Sequence, residues 1–521
     1  MLLSEVLPLI KAHWPVFTCA LLAAHLLYNK FYKGLNKYPG PVLAGYTSWW
    51  RFWNVSTGHP EITHNELHKK YGDIVRLGPD VLSFADPKAI KIIYGLNKGM
   101  TKSAFYPVQQ AVAKGKRLQS LFSTRSEDYH AKFRRCVNSA FAMSSLVGYE
   151  PLVDSTTDVF VERTRELYSG SDGGRCDLTT WLRFYAFDVI GELTWSKRLG
   201  YIERNEDVDG IVAFLQSFLS YAAKVGQMAW FDELLEKNPL KLQLEAWGAI
   251  KKVFPVTRFA LSRSAERKDE MDKVKKTGQV VERPGRGIDL LTKFTQAQHD
   301  HPEFMTNDQV LSASCSMVFA GSETTAISLS SIFYHLLKHP KVHAKLMEEL
   351  EEAAATGAIE ERGNKKVSWA ESQKLPYLDA VIQESFRVHP AAGLLLERVT
   401  PPQGITILGE FIPGGVIVGC NAWVLHRRQE IFGQDVEAFR PERWLEASPQ
   451  QLKEMKATMF QFGAGARTCI GKNISLLEIY KLVPTLLRNF EIEMDCEDWK
   501  TENAWFVRQS DFYTRFRLKS T

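Results

Sequence analysis

The chain has 521 residues, 45% of them hydrophobic and 24% charged, with 65 basic against 60 acidic side chains. That balance excludes a disordered or low-complexity chain, and a net charge of +5 is too mild for a nucleic-acid binder. The seven cysteines, Cys19, Cys136, Cys176, Cys315, Cys420, Cys469 and Cys496, hold no CxxC pair and no metal-ligand spacing, which excludes a disulfide scaffold and suits a reducing compartment.

At the N-terminus an apolar run from Trp14 to Tyr28 is followed by Lys30, Lys33 and Lys37. A membrane span needs about 20 residues, so the run must recruit part of Val6 to His13, with Lys11 snorkelling outward. Glu5 offsets Lys11 and the basic flank comes after the run, which favours an uncleaved anchor over a signal peptide and keeps the lysine side cytoplasmic. No repeat or long linker follows. The expected division is residues 1–36 as membrane anchor and basic flank, then 37–521 as one catalytic domain opening on a stiff hinge, Tyr38-Pro39-Gly40-Pro41.

Residues 73–90 alternate and turn like a hairpin before a helix. From about Asp128 the pattern is mainly helical, with breaks at 169–174 and over the basic stretch 263–287, which reads as a solvated loop. Thr306 with Gln309 forms a capping box, and the helix it starts continues to His339-Pro340. Inside it stands "AGSETT", residues 320–325. A glycine there costs about 1 kcal/mol and the hydroxyls can capture backbone carbonyls, so the helix is predisposed to open locally. For Ala320-Gly321 alone a small-residue packing notch is the preferred reading. Glu323-Thr324 adds an acid–alcohol pair that can relay protons.

The helix "PYLDAVIQESFRVHP" carries Glu384 and Arg387 three residues apart, a spacing that usually makes a surface pair of about 0.5 kcal/mol or less. Strand-like pieces over 393–422 and "FRPERW" (439–444) lead to "FGAGARTCIG" (462–471). Its glycines imply backbone that turns sharply or lies close to something bulky. Helical spacing from Ile470 onward places Cys469 where a loop enters a helix, and amides there favour a thiolate. Such a thiolate serves either a catalytic histidine partner or the iron of a flat macrocycle.

Phe462, Gly465, Arg467, Cys469 and Gly471 match FxxGxRxCxG, and on this motif the chain resembles the cytochrome P-450 family over nearly its whole length. The resemblance implies a mainly α fold with a minor segregated β-sheet, and haem b with Cys469 as axial thiolate. It implies that Thr324 supplies a hydrogen bond on the oxygen side and that Glu323 helps deliver protons there. It further implies a buried network of Glu384, Arg387 and Arg443 that holds the loop presenting Cys469. Propionate contacts would come from His130, Arg134, Arg398 and Arg467, with His130 standing where the family's WxxxR pattern has tryptophan.

Electrons would come from NADPH through cytochrome P-450 reductase, with cytochrome b5 as a second donor. The location implied is the endoplasmic reticulum membrane, single-pass, with the catalytic domain facing the cytosol. An apolar small molecule would bind among residues 100–120, 316–320, 391–396 and 505–512. "LFSTRSEDYHAKFRR" and "MSSLVGYEPLVDS" resemble the fungal pisatin-demethylase-like branch, which points to secondary metabolism or detoxification. Hydroxylation, epoxidation, desaturation and O-dealkylation all stay open. So do two other functions: a haem-thiolate isomerase or dehydratase that needs neither dioxygen nor reductase, against which Glu323-Thr324 speaks, and a noncatalytic membrane-anchored haem-binding protein.

Overall fold

In the computed structural model, which describes residues 2–170, 174–250, 254–277 and 289–519, helices form wherever apolar residues recur at helical spacing. The helix Asn307–Lys338 runs through the core, and both halves of its expected capping box, Thr306 with Gln309, are made. The helix Leu178–Trp195 packs along it. Gly321 makes that approach possible, since a Cβ there would lie 2.5 Å from Ile190 Cδ1. The glycine therefore serves packing, and the local opening expected from the sequence does not occur: the helix is continuous through 320–325. Its hydroxyls bond back one turn without breaking the ladder, Ser322 Oγ donating to Val318 O at 2.8 Å and Thr324 Oγ1 to Ala320 O at 2.7 Å. The helices Met143–Tyr168 and Lys472–Asn489 complete this core.

The hairpin forms as expected, with strands Ile74–Gly78 and Val81–Phe84 antiparallel and the helix Lys88–Ile93 after them. Val81–Phe84 pairs in parallel with Ile417–Gly419, which pairs antiparallel with Arg398–Val399 and, through it, reaches the edge strand Thr101–Lys102. The basic stretch corrects the sequence reading. The helix Pro255–Thr277 runs through Arg263, because Arg263 pairs with Glu266 at 2.8 Å and Arg267 with the buried Asp289 at 2.9 Å. The rest of that expected loop, 278–287, lies outside the described residues, as do 171–173 of the other expected break.

The N-terminal helix Leu2–Phe31 forms but kinks at His13. Among the described residues no helix is long and apolar enough to cross a membrane. The apolar run between His13 and Asn29 alone covers roughly 22 Å at 1.5 Å per residue, against about 30 Å of hydrocarbon, and the kink at His13 separates it from the Val6–His13 stretch expected to extend it. The end of the helix is fastened to the body, with Arg76 donating to Lys30 O at 2.8 Å and Asn29 O at 2.7 Å. Leu35 and Tyr38 share a buried cluster with Leu82 and Phe84. The Tyr38–Pro41 segment lies against a strand, the Arg76 amide donating to Pro39 O at 2.8 Å.

Candidate active site

The loop Phe462–Gly471 turns through Gly463 and Gly465, both at positive φ (65° and 66°). At Gly465 only glycine fits, because a Cβ would come 1.7 Å from Tyr94 O. The Cys469 amide donates to Phe462 O at 2.9 Å and closes the loop, and the helix Lys472–Asn489 begins just beyond. The Cys469 side chain is accessible although protein surrounds it, so its sulfur faces an internal surface. Burial pushes its pKa up. The Gly471 and Lys472 amides and the Arg134 guanidinium pull it down without prevailing, so the net lowering expected at a helix start is not realised.

Glu384, Arg387 and Arg443 come together as expected, and they are buried rather than on the surface. The Glu384 carboxylate accepts from Arg387 Nε (2.9 Å) and Nη2 (2.8 Å), Arg443 Nε (3.0 Å), Trp444 Nε1 (3.0 Å) and the Arg440 amide (2.9 Å). The link from this network to the thiol loop is His426. Arg387 Nη1 donates to His426 O at 3.2 Å, and the Phe460 amide donates to His426 Nε2 at 2.8 Å. Burial, then the Arg387 charge, pushes His426 down to about 3, so Nε2 stays a neutral acceptor. Phe386 on the same helix as Arg387 meets Phe462 edge-on at 5.5 Å.

On the central helix, Ala320 is exposed and lines an internal cavity, and Thr324 one turn on is partly exposed between the buried Glu323 and Thr325. Glu323 points elsewhere. It is 1% exposed and forms an ion pair with Arg183 Nε at 3.0 Å, from the helix Leu178–Trp195. Sequence reasoning missed Arg183, although it is the one basic residue of that apolar helix, and buried arginines are almost always paired.

The cations form a third group. Lys102 and Arg398 are direct cross-strand partners and both are buried, at 4% and 5% exposed. Like charges placed opposite each other on a sheet repel, so this arrangement asks for an anion. Burial holds the Lys102 ammonium well below its usual range. His130 is pushed down to about 3 by burial and by Arg467, Lys102, Arg134 and Arg398, so it is a neutral donor, as the tryptophan it replaces would be. Arg134 Nη1 donates to Thr468 O at 2.8 Å and braces the thiol loop. Arg467 also departs from expectation: its Nη2 meets Glu127 at 2.7 Å and its Nη1 donates to Leu121 O at 3.1 Å. Lys102 was missed; its signal was a lysine inside the apolar stretch "MTKSAF". An accessible internal thiol, a cradle that tolerates only glycine, and Lys102 and Arg398 buried opposite each other with no ion pair among the described residues together fit a haem with its two propionates.

Of the four expected pocket segments, three meet. A cavity of about 90 Å³ is lined by Gln109 and Leu118, by Ser316, Phe319 and Ala320, and by Trp505. The turn 391–396 instead contributes Leu394 and Leu395 to a separate hollow of about 10 Å³ with Arg51 and Glu397. Phe218, from an amphipathic helix that reads as ordinary core, also lines the larger cavity.

Comparison with known proteins agrees with this geometry. The cytochrome P450 family model matches residues 43–513. The chain is 40% identical over 486 residues, 93% of this chain and 95% of the other, to a cytochrome P450 monooxygenase of Aspergillus terreus. It is 38% identical over 503 residues to cytochrome P450 monooxygenase cicH of Emericella nidulans, covering 96% and 97%. A third relative, cytochrome P450 monooxygenase pkfB of Emericella nidulans, is 34% identical over 504 residues, covering 96% and 95%.

Proposed function

Since the chain belongs to the cytochrome P450 family and is a monooxygenase, we propose that Cys469 is the thiolate ligand of its haem b and that the substrate is a neutral, largely apolar small molecule. The observation that carries this reading is the internal thiol held through His426 by the Glu384 network. When bound, the haem supplies the activation of dioxygen. Lys102, Arg134 and Arg398 would hold its propionates, with His130 as a neutral donor, while Arg467 orders Glu127 and the loop. Thr324 holds a proton at Oγ1 on the inner face. Glu323 sits behind it, paired with Arg183, and reaches the site when that pair opens. Electrons come from NADPH through a reductase or cytochrome b5. The fungal relatives support a place in secondary metabolism, and the stretches 121–135 and 143–155 are what suggest the pisatin-demethylase-like branch.

The enzyme works at the cytosolic face of the endoplasmic reticulum membrane. Trp14, Leu21 and Tyr28 of the N-terminal helix are exposed, as are Trp49 and Trp53 where the chain enters the body, and Trp49 touches Phe231 beside the exposed Trp230. An apolar, aromatic face of this kind suits a lipid interface, whether or not the helix spans it. The chain expressed with a reductase should give an NADPH-dependent product that disappears in Cys469→Ala. A product formed without NADPH or dioxygen would instead support the isomerase reading. Protease added to sealed microsomes should digest the catalytic domain, and a protected domain would reverse the topology.

A further inference from the structure

The cavity beside the central helix is walled by Phe122, Phe218, Phe319, Trp505 and Phe506. Edge contacts fix these rings on one another: Phe218 and Phe319 lie 5.7 Å apart between centroids, and Phe122 and Trp505 5.9 Å. None of the residues lining the cavity carries a charge. Its hydroxyls are engaged within the protein. Ser312 Oγ donates to Gln119 O at 2.8 Å, Ser316 Oγ to Ser312 O at 2.7 Å, and Ser120 Oγ to Ser123 Oγ at 3.0 Å.

Gln109 differs from them. Its Nε2 is buried and has no hydrogen-bond partner among the described residues. A donor left so is unfavourable by about 1–3 kcal/mol, and an acceptor on a ligand relieves it. The backbone beside it is pinned, because Lys237 Nζ, paired with Asp232 Oδ2 at 2.7 Å, donates to Val108 O at 2.7 Å. The backbone that carries Gln109 is thereby held in the wall, and rotation of the side chain presents its amide to the cavity.

We infer that this cavity selects a neutral aromatic molecule bearing an accepting oxygen, such as a ring ketone, and that Gln109 is the specificity-determining residue that reads that oxygen. The rings supply the stacking surface and exclude saturated skeletons of the same size by poorer contact. The lack of lining charge excludes carboxylates and ammonium ions. The inference rests on the monooxygenase reading of the site and narrows its substrate class.

The test titrates purified holoenzyme with three probes: α-tetralone, tetralin, which has the same skeleton without oxygen, and decalone, which has the ketone without the aromatic ring. Binding is followed by the shift of the haem absorption band and, independently, by calorimetry. The inference expects α-tetralone to bind about tenfold more tightly than tetralin or decalone, and Gln109→Met to abolish the preference over tetralin. Gln109→Leu serves if the first variant does not fold. An undiminished preference in a folded variant, decalone binding as well as α-tetralone, or no probe binding at all would overturn it. A preparation lacking the carbon monoxide band of a thiolate-ligated haem would contradict the haem reading instead, and calorimetry would still decide the cavity.

Discussion

Replacing Glu384 with alanine removes the acceptor shared by Arg387 and Arg443, which are 0% and 3% exposed. A buried pair broken from one side typically loses about 3–5 kcal/mol, because the remaining charge is stranded. Here the loss should fall near the lower figure, about 3 kcal/mol. Arg387 keeps Val436 O (2.6 Å) and Ala438 O (2.9 Å), and Arg443 keeps Asp435 Oδ1 at 3.0 Å. Burial pushes the Glu384 carboxyl up, but the Arg387 hydrogen bonds and the two guanidinium charges outweigh it and hold it below the ordinary carboxylate range. The contribution is therefore fully present above the unfolded-state value of about 4.3 and is lost only as pH falls through the lower folded value. Urea unfolding followed by circular dichroism should show the variant destabilised by the same amount from neutral to mildly alkaline pH, with the gap closing in acid. Haem loading should fall with it, and Glu384→Gln should lose less. An unchanged urea midpoint in Glu384→Ala would refute the idea that this network holds the thiol loop.

Thr324→Ala should keep haem and substrate binding but lower product per NADPH and raise hydrogen peroxide. Thr325 is a poor substitute because its Oγ1 donates to Ser475 at 3.0 Å, so unchanged coupling would move the relay to the substrate. Gly465→Ala should give folded protein with little haem, since its Cβ would fall 1.7 Å from Tyr94 O at a φ of +66°; normal loading by absorbance would show that the cradle has room. Glu478 is fully buried, neither of its carboxyl oxygens has a hydrogen-bond partner among the described residues, and burial raises its pKa well above the usual range. Glu478→Met should therefore stabilise by about 1–3 kcal/mol at neutral pH. Because the folded value is raised, wild type loses stability as pH rises above the unfolded value, and the variant's advantage should grow with pH; a destabilised variant would point to an unseen partner.

The thiol loop was legible because FxxGxRxCxG is local, and the Thr306 capping box marked the central helix within a residue; the Glu384–Arg387 spacing alone pointed to a surface pair, and the buried network with Arg443 came from the family resemblance. Partners brought from elsewhere in the chain were not legible. Arg183 reaches Glu323 across two helices, and His426 joins Arg387 to the thiol loop through a ring that reads in sequence as one more histidine. Glu127, which meets Arg467, and most of the cations that, after burial, keep His130 neutral likewise come from other elements. The stretch after Arg263 reads as a solvated loop; it is largely exposed, but it is helical as far as Thr277, with only Arg267 of its first turns buried, against Asp289. At Gly321 the packing-notch reading holds, since the glycine admits Ile190 and the helix does not open.

The central claim is that Cys469 ligates the haem iron as a thiolate. The direct measurement is the absorption spectrum of the reduced, carbon monoxide-bound protein, wild type beside Cys469→Ser, with folding checked by circular dichroism. Thiolate ligation predicts a band at about 450 nm in wild type and its loss in the variant. A folded wild-type protein with the spectrum of a histidine-ligated haem, or a variant that keeps the band, would contradict the assignment.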